Sequence, residues 1–284
     1  MESLARAATG LILAAATVAA PVQLNGTFAL LGGTQRIVAR AIVSHPRPNE
    51  VTFDIKQTSQ QGGIVRSYQI DMTKLMHLVV ISDDFRQFSH EHPSYNRKSG
   101  TFRQTITVDP SHAYIVYADS TPKSAGQQVF RFSIPASANP SATMAPLPPS
   151  TPSPDAVTAG PYAVKLGTTT LAARTAQMIP LEITKAGAAA MDLEPYLGAA
   201  GHAVFVNTAT LEYVHVHPMV RSTMSTTSPM SSGSMDMDQP QSGPVAGPHL
   251  MMHVPPLPVG TYKLWFQFRG AGSLEVASFT LAVR

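Results

Sequence analysis

HLVVISDDFRQFSHEHP, from His77 to Pro93, is answered further along the chain by HAVFVNTATLEYVHVHP, from His202 to Pro218. Both read His, twelve residues, His, one residue, His, Pro. The first six residues of each are almost continuously apolar and rich in β-branched or aromatic side chains, the mark of a buried strand. A turn follows, then a short strand closed by proline, which cannot donate to a ladder and sits at strand ends. Each stretch therefore reads as a β-hairpin carrying three histidines.

Around the hairpins the same order of runs occurs twice. VTFDI (51–55) precedes the first, and AYIVYAD and VFRFSI follow it. PLEIT (180–184) precedes the second, and GTYKLWFQF and VASFTLAV follow it. RIVARAIV and FRQTITV add further short strands to the first unit. Gly, Pro, Asn and Asp clusters separate the runs, and no stretch has the apolar period of a three-turn amphipathic helix. The expected fold is all-β: two tandem immunoglobulin-like antiparallel β-sandwich domains. The Pro/Ser/Ala-rich segment 135–161 lacks hydrophobic periodicity and reads as the linker between them. The expected domains are residues 22–134 and 162–284.

The chain has 284 residues, of which 44% are hydrophobic and 13% charged, enough apolar content to fill real cores. The net charge of +3 is spread along the sequence. No basic cluster with interleaved aromatics stands out, so nucleic acid is not an expected partner. Arg6 followed by the apolar run Ala7–Ala20, ending in small residues, has the layout of a secretory signal peptide, with cleavage expected after Ala19. The run is shorter than the roughly 20 residues of a membrane span, and no membrane span is expected in the mature chain. Cysteine is absent, which removes disulfides, thiolate metal ligands and blue-copper centres. The expected location is periplasmic or secreted.

The hairpin geometry gives the histidines a chemistry. A two-residue loop at Asp83-Asp84 sets His77 opposite His90, and His92 returns to the same face two residues later. The same arithmetic, centred on Thr208-Ala209, applies to His202, His215 and His217. A slip of one residue would send His77 or His202 to the opposite face. Three neutral imidazoles converging from a rigid hairpin suit copper, zinc, nickel or iron and leave a fourth coordination position open. The expected sites are two: His77, His90 and His92 in one domain, and His202, His215 and His217 in the other. The competing reading makes them half-buried structural histidines at a sandwich rim.

After its His-x-His the second unit departs from the first. Residues 219–252 hold seven of the chain's thirteen methionines, among them Met235 and Met237, with His249 and His253 close by. Ser, Thr, Gly and Pro make up most of the rest, the composition of a loop. Thioethers are soft ligands that select Cu(I), so Met235, Met237, His249 and His253 join the candidate ligands, and copper becomes the expected ion ahead of zinc. Met251 and Met252 can equally belong to a strand. His45 and His112 read as solvated, Asp83 and Asp84 as turn formers, and Trp265 as core or rim packing.

Segments such as LGAAGHAVFV, YVHVHP and GTYKLWFQF resemble those of secreted bacterial proteins with a YtkA-like or CopC-like β-sandwich, best over residues 162–284. The resemblance implies an immunoglobulin-like fold, an extracytoplasmic location and copper handling, with a metal-handling protein as partner. It implies no reaction. No histidine stands near the expected cleavage site, where CopC carries a copper ligand. The function expected is an exported metal-binding protein for copper binding, buffering or delivery. Two alternatives stand beside it: an interaction module of two sandwiches without metal, and a three-His metal enzyme, for which no acidic orienter or base is evident.

Overall fold

The computed structural model describes residues 20–136, 152–221 and 246–284; the proposed signal peptide, Met235 and Met237 lie outside the described residues. The first domain contains β1 (Val22–Asn25), β2 (Thr27–Phe28), β3 (Ile37–Arg47), β4 (Glu50–Ser59), β5 (Met76–Ser82), β6 (Phe88–Glu91), β7 (Ser94–Asn96), β8 (Thr101–Thr107), β9 (Tyr114–Ser120) and β10 (Gln128–Ile134). The second contains β11 (Ala156–Ala159), β12 (Tyr162–Leu166), β13 (Thr170–Leu171), β14 (Gln177–Lys185), β15 (Ala188–Ala189), β16 (Leu193–Glu194), β17 (His202–Asn207), β18 (Tyr213–Val216), β19 (Met219–Val220), β20 (His249–Val254), β21 (Gly260–Gly270) and β22 (Ser273–Val283).

Each domain is a sandwich of two sheets. The outer sheets run β1-β3-β4-β8-β7 and β11-β12-β14-β20-β19, and the inner sheets β2-β10-β9-β5-β6 and β13-β22-β21-β17-β18. This is the strand order of an immunoglobulin-type sandwich, as the sequence predicts. The domains differ at one edge, where β2 pairs antiparallel with β10 but β13 pairs parallel with β22. The linker is shorter than expected. Residues 156–159 form β11 on β12, Ser153 N–H donates to Thr280 O at 2.9 Å, and Ala136 is buried.

Burial explains the long apolar runs. In β3 inward and outward residues alternate, because that sheet has one wet face. In β5, β9 and β17 every residue is buried. One face of each inner sheet closes its own sandwich: Leu78 and Val80 in the first core, Ala203 and Phe205 in the second. The opposite faces pack on each other. Val79, Ile81, Phe85 and Tyr117 of the first domain share a third core with Val204, Val206, Tyr213 and Trp265 of the second. The contact has approximate two-fold symmetry. Phe88 stacks on Trp265 at 5.2 Å between ring centroids, and Tyr213 stacks on Tyr117 at 4.9 Å. The backbone joins in: Tyr213 N–H donates to Ala29 O and Leu31 N–H donates to Tyr213 O.

The hairpin register differs from the expected one by two residues. Val79 pairs with His90 and Val204 with His215, which aligns His77 with His92 and His202 with His217. The loops have four residues, not two. Phe85 and Leu211 accept positive φ within them, and Asn207 N–H donates to Glu212 O across the second. An even shift preserves the face, so the expected convergence survives the wrong loop length.

The third core should contribute to stability in its own right. Trp265 is 1% exposed and stacks on both Phe85 and Phe88. Trp265→Ala is expected to destabilise the protein by about 3–5 kcal/mol, against a few tenths for the exposed Val22→Ala, in chemical denaturation. A cost for Trp265→Ala as small as that for Val22→Ala would mean that the domains do not rest on each other.

Candidate metal centre

The histidines occupy one end of the face on which the two inner sheets meet. The alternation that aims Val79, Ile81, Val204 and Val206 at the partner domain aims His77 and His202 there too. Gly201 lets β17 approach β21 just before His202, since a Cβ there would lie 2.5 Å from the Phe266 ring and 2.8 Å from Gln267 O. The two expected three-histidine sites are therefore one cluster. Ring centroids of His77 and His215 are 5.1 Å apart, and those of His90 and His202 also 5.1 Å, both across the domain boundary. His92 lies 4.8 Å from His90, and His217 4.6 Å from His215. The separation into one site per domain is corrected by the face-to-face packing, which the sequence of either half does not contain.

Four of the six rings offer nitrogens within 4.8 Å of one another: His77, His90, His202 and His215. The outward edges of three of them are held by acceptors. His77 Nε2–H donates to Asp71 O and His202 Nε2–H to Tyr196 O, both at 3.2 Å, from equivalent tight turns before β5 and β17. His90 Nδ1–H donates to Gln267 Oε1 at 3.2 Å across the domain boundary. His215 Nδ1 lies 3.5 Å from Asp119 Oδ2, the related contact in the other direction, at ion-pair rather than hydrogen-bond distance.

A neutral imidazole has one N–H and one lone pair. With the N–H turned outward on His77, His90 and His202, their lone pairs face inward; His215 Nδ1 has no hydrogen-bond partner. The lone pairs of His77 Nδ1 and His90 Nε2 oppose each other at 2.9 Å, and His202 Nδ1 faces His215 Nε2 at 3.2 Å. Two lone pairs at that distance repel unless a cation lies between or beside them. Ligands at about 2.0–2.1 Å from a tetrahedral ion stand roughly 3.3–3.4 Å apart, so the His202–His215 pair is close to the spacing of two ligands on one ion and the His77–His90 pair would open by a few tenths of an ångström. An outward N–H on a carbonyl or carboxylate is also the usual support for a metal-bound histidine. His92 Nε2 and His217 Nε2 are buried without any partner and remain as further donors.

The surroundings keep the rings neutral. Burial is the main cause, and neighbouring imidazoles add to it: His90, His202 and His215 are held well below the usual histidine range. His92 is pushed down to about 3 by burial, then by His77 and Lys74. His217 is lowered to about 4 by burial, partly offset by Asp71. His77 is also lowered, chiefly by burial. Asp119 is fully buried, and burial raises its carboxyl to about 7 against hydrogen bonds from Gln127.

The remaining candidates separate. His249 and His253 lie on β20, both exposed; His249 pairs in register with Glu182, away from the cluster, and His253 borders a cavity that reaches it. Met252 is buried in the second core and is structural, while Met251 faces outward. Trp265 packs as expected. His112 is not simply solvated: Asp83 accepts from its Nδ1 at 2.7 Å and raises its pKa, and Asp84 completes a small acidic group beside it.

Sequence reasoning missed the supporting residues. It found no acidic orienter, yet Asp119 stands behind His215. The signal was present: Asp119 in AYIVYAD and Gln267 in KLWFQF hold corresponding places in the two units, each paired in register with the first histidine of its hairpin.

The sequence model of one protein family, described as a domain of unknown function (DUF8832), matches residues 33–138 and 156–284. The chain belongs to that family. No curated protein matches it.

The metal-free protein is expected to lose stability on acidification. Each of the six histidines binds a proton less readily folded than unfolded, so the unfolded state takes up more protons from about pH 6.5 down to the lowered folded values near 4 and 3. Asp119, raised to about 7, and His112, raised by its hydrogen bond to Asp83, act in the opposite sense, but they are two groups against six. Urea unfolding in a chelator should give a midpoint that falls steadily from pH 7 to pH 4. A flat or rising midpoint over that range would contradict neutral, buried imidazoles.

Proposed function

We propose that this DUF8832 protein is an exported copper-binding protein that buffers or delivers copper outside the cytoplasm, through a site that both domains build. The observation that carries the reading is the convergence of ring nitrogens from His77, His90, His202 and His215, with the outer nitrogens of His77, His90 and His202 on acceptors and that of His215 3.5 Å from Asp119. Those residues would hold the ion, and His92 and His217 would supply the next nearest donors. The bound ion would supply Lewis acidity or a one-electron couple; the chain's own residues fix the rings, exclude water and keep the imidazoles unprotonated.

Copper is favoured over zinc on three grounds. Imidazole sites follow an affinity order in which Cu(II) stands above Zn(II). Met72 and Met219 line a cavity with His215 and His217, and thioethers suit Cu(I). The ligands are all neutral, with Asp119 as the one buried carboxylate behind them. Desolvation rises with the square of the charge, so a singly charged ion costs about a quarter as much to bury there as a doubly charged one. The apolar leader and the likeness to YtkA-like and CopC-like sandwiches support export, and a metal-handling protein of the cell envelope would be the partner.

Metal content after dialysis against equimolar copper and zinc tests the reading, using the full chain beside its His77→Ala/His90→Ala/His202→Ala/His215→Ala variant. At least one tightly held copper ion per chain, lost in the variant, is expected. Zinc in preference to copper would overturn the choice of metal. No metal in either protein would leave the histidines as packing of the domain contact.

A further inference from the structure

A cavity of about 260 Å³ reaches the cluster from the solvent side. His215 and His217 line it, together with Met72 from the turn before β5, and Met219 and His253 from the second domain's outer sheet. None of these three outer residues belongs to a hydrophobic core. Their placement has a backbone cause. Met219 pairs in register with Met251, and Met178 with His253, so Met219, Met251, Met178 and His253 share the outward face of β14, β20 and β19. Met178 is 52% exposed. Met72 is held at the mouth by a strained turn: Met72 has φ 40° and Thr73 φ 75°, a left-handed pair that a β-branched residue rarely adopts. The equivalent turn of the second domain places Leu197 and Gly198 there, and glycine relieves the strain. Strain kept at a site opening is a mark of function.

Thioethers with one imidazole are a soft donor set that prefers Cu(I) to zinc or Cu(II). We propose that Met72, Met219 and His253 form a receiving site for Cu(I) at the cavity mouth, from which the ion passes, still monovalent, to His217 and His215. Met178 and Met251 extend the path over the outer sheet. The inference rests on the copper reading above and adds the oxidation state and the route.

The test compares loading rates of the full metal-free chain with those of a Met72→Leu/Met219→Leu/His253→Gln variant, which keeps side-chain volume and leaves residues 222–245 intact. Cu(I) is supplied as a complex with a colorimetric chelator, and Zn(II) is run in parallel. The variant should take up Cu(I) at least tenfold more slowly, with unchanged final copper content and unchanged zinc rate. Equal slowing of both metals, or no slowing, would overturn the proposal. If the parent chain loads no copper on its histidines, the cluster reading fails by itself. The mouth is then judged by X-ray absorption of one equivalent of Cu(I) on the chain lacking the four central histidines. Sulfur ligation diminished by the three mouth substitutions supports the receiving site, and unchanged sulfur ligation refutes it.

Discussion

Two inner sheets buried on both faces hold this molecule together. A sandwich normally exposes one face of each sheet. Here the second faces are apolar and cover each other, through Val79, Ile81 and Tyr117 against Val204, Val206, Tyr213 and Trp265. Everything polar on those faces must then find partners in a dry place, because an unpaired buried donor or acceptor costs about 1–3 kcal/mol. The histidines meet that demand only outwardly. Their outer nitrogens are satisfied by Asp71 O, Tyr196 O and Gln267, or lie near Asp119, and their inner lone pairs are set against one another. A cation would complete the arrangement, so the domain contact and the candidate metal site are one feature.

The repeated strand order accounts for the symmetry, and departures from it mark where the halves differ. Asp119 and Gln267 occupy related positions, yet one is a carboxyl group and the other an amide. The strained Met72–Thr73 turn faces the relaxed Leu197–Gly198 turn, with Thr73 Cγ2 3.4 Å from where a Cβ on Gly198 would stand. Both asymmetries lie around the cluster, not in the sandwich cores.

Much of this was legible in the residues. Period-two alternation in β3 and unbroken apolar runs in β5 and β17 specify strands with one and two buried faces. The repeat of those runs specifies two sandwiches. Parity alone places His77, His90 and His92 on one face, which is why a loop two residues too short still gave the right convergence. Three things were not legible. Segment 156–159 looks like linker because its strand is defined by its neighbour β12, not by its own composition. The meeting of the two histidine sets depends on packing between domains, to which local periodicity is blind. Asp119 needed the same knowledge, since its role lies in reaching a histidine of the other domain.

The central claim is a single site shared by the domains. Copper titration against a competing chelator should be compared for His77→Ala/His90→Ala and for His202→Ala/His215→Ala, each in the full chain. A shared site predicts that either pair of substitutions abolishes all tight binding. Retention of half the copper by each variant, with parental affinity, would mean two independent sites and would contradict the account.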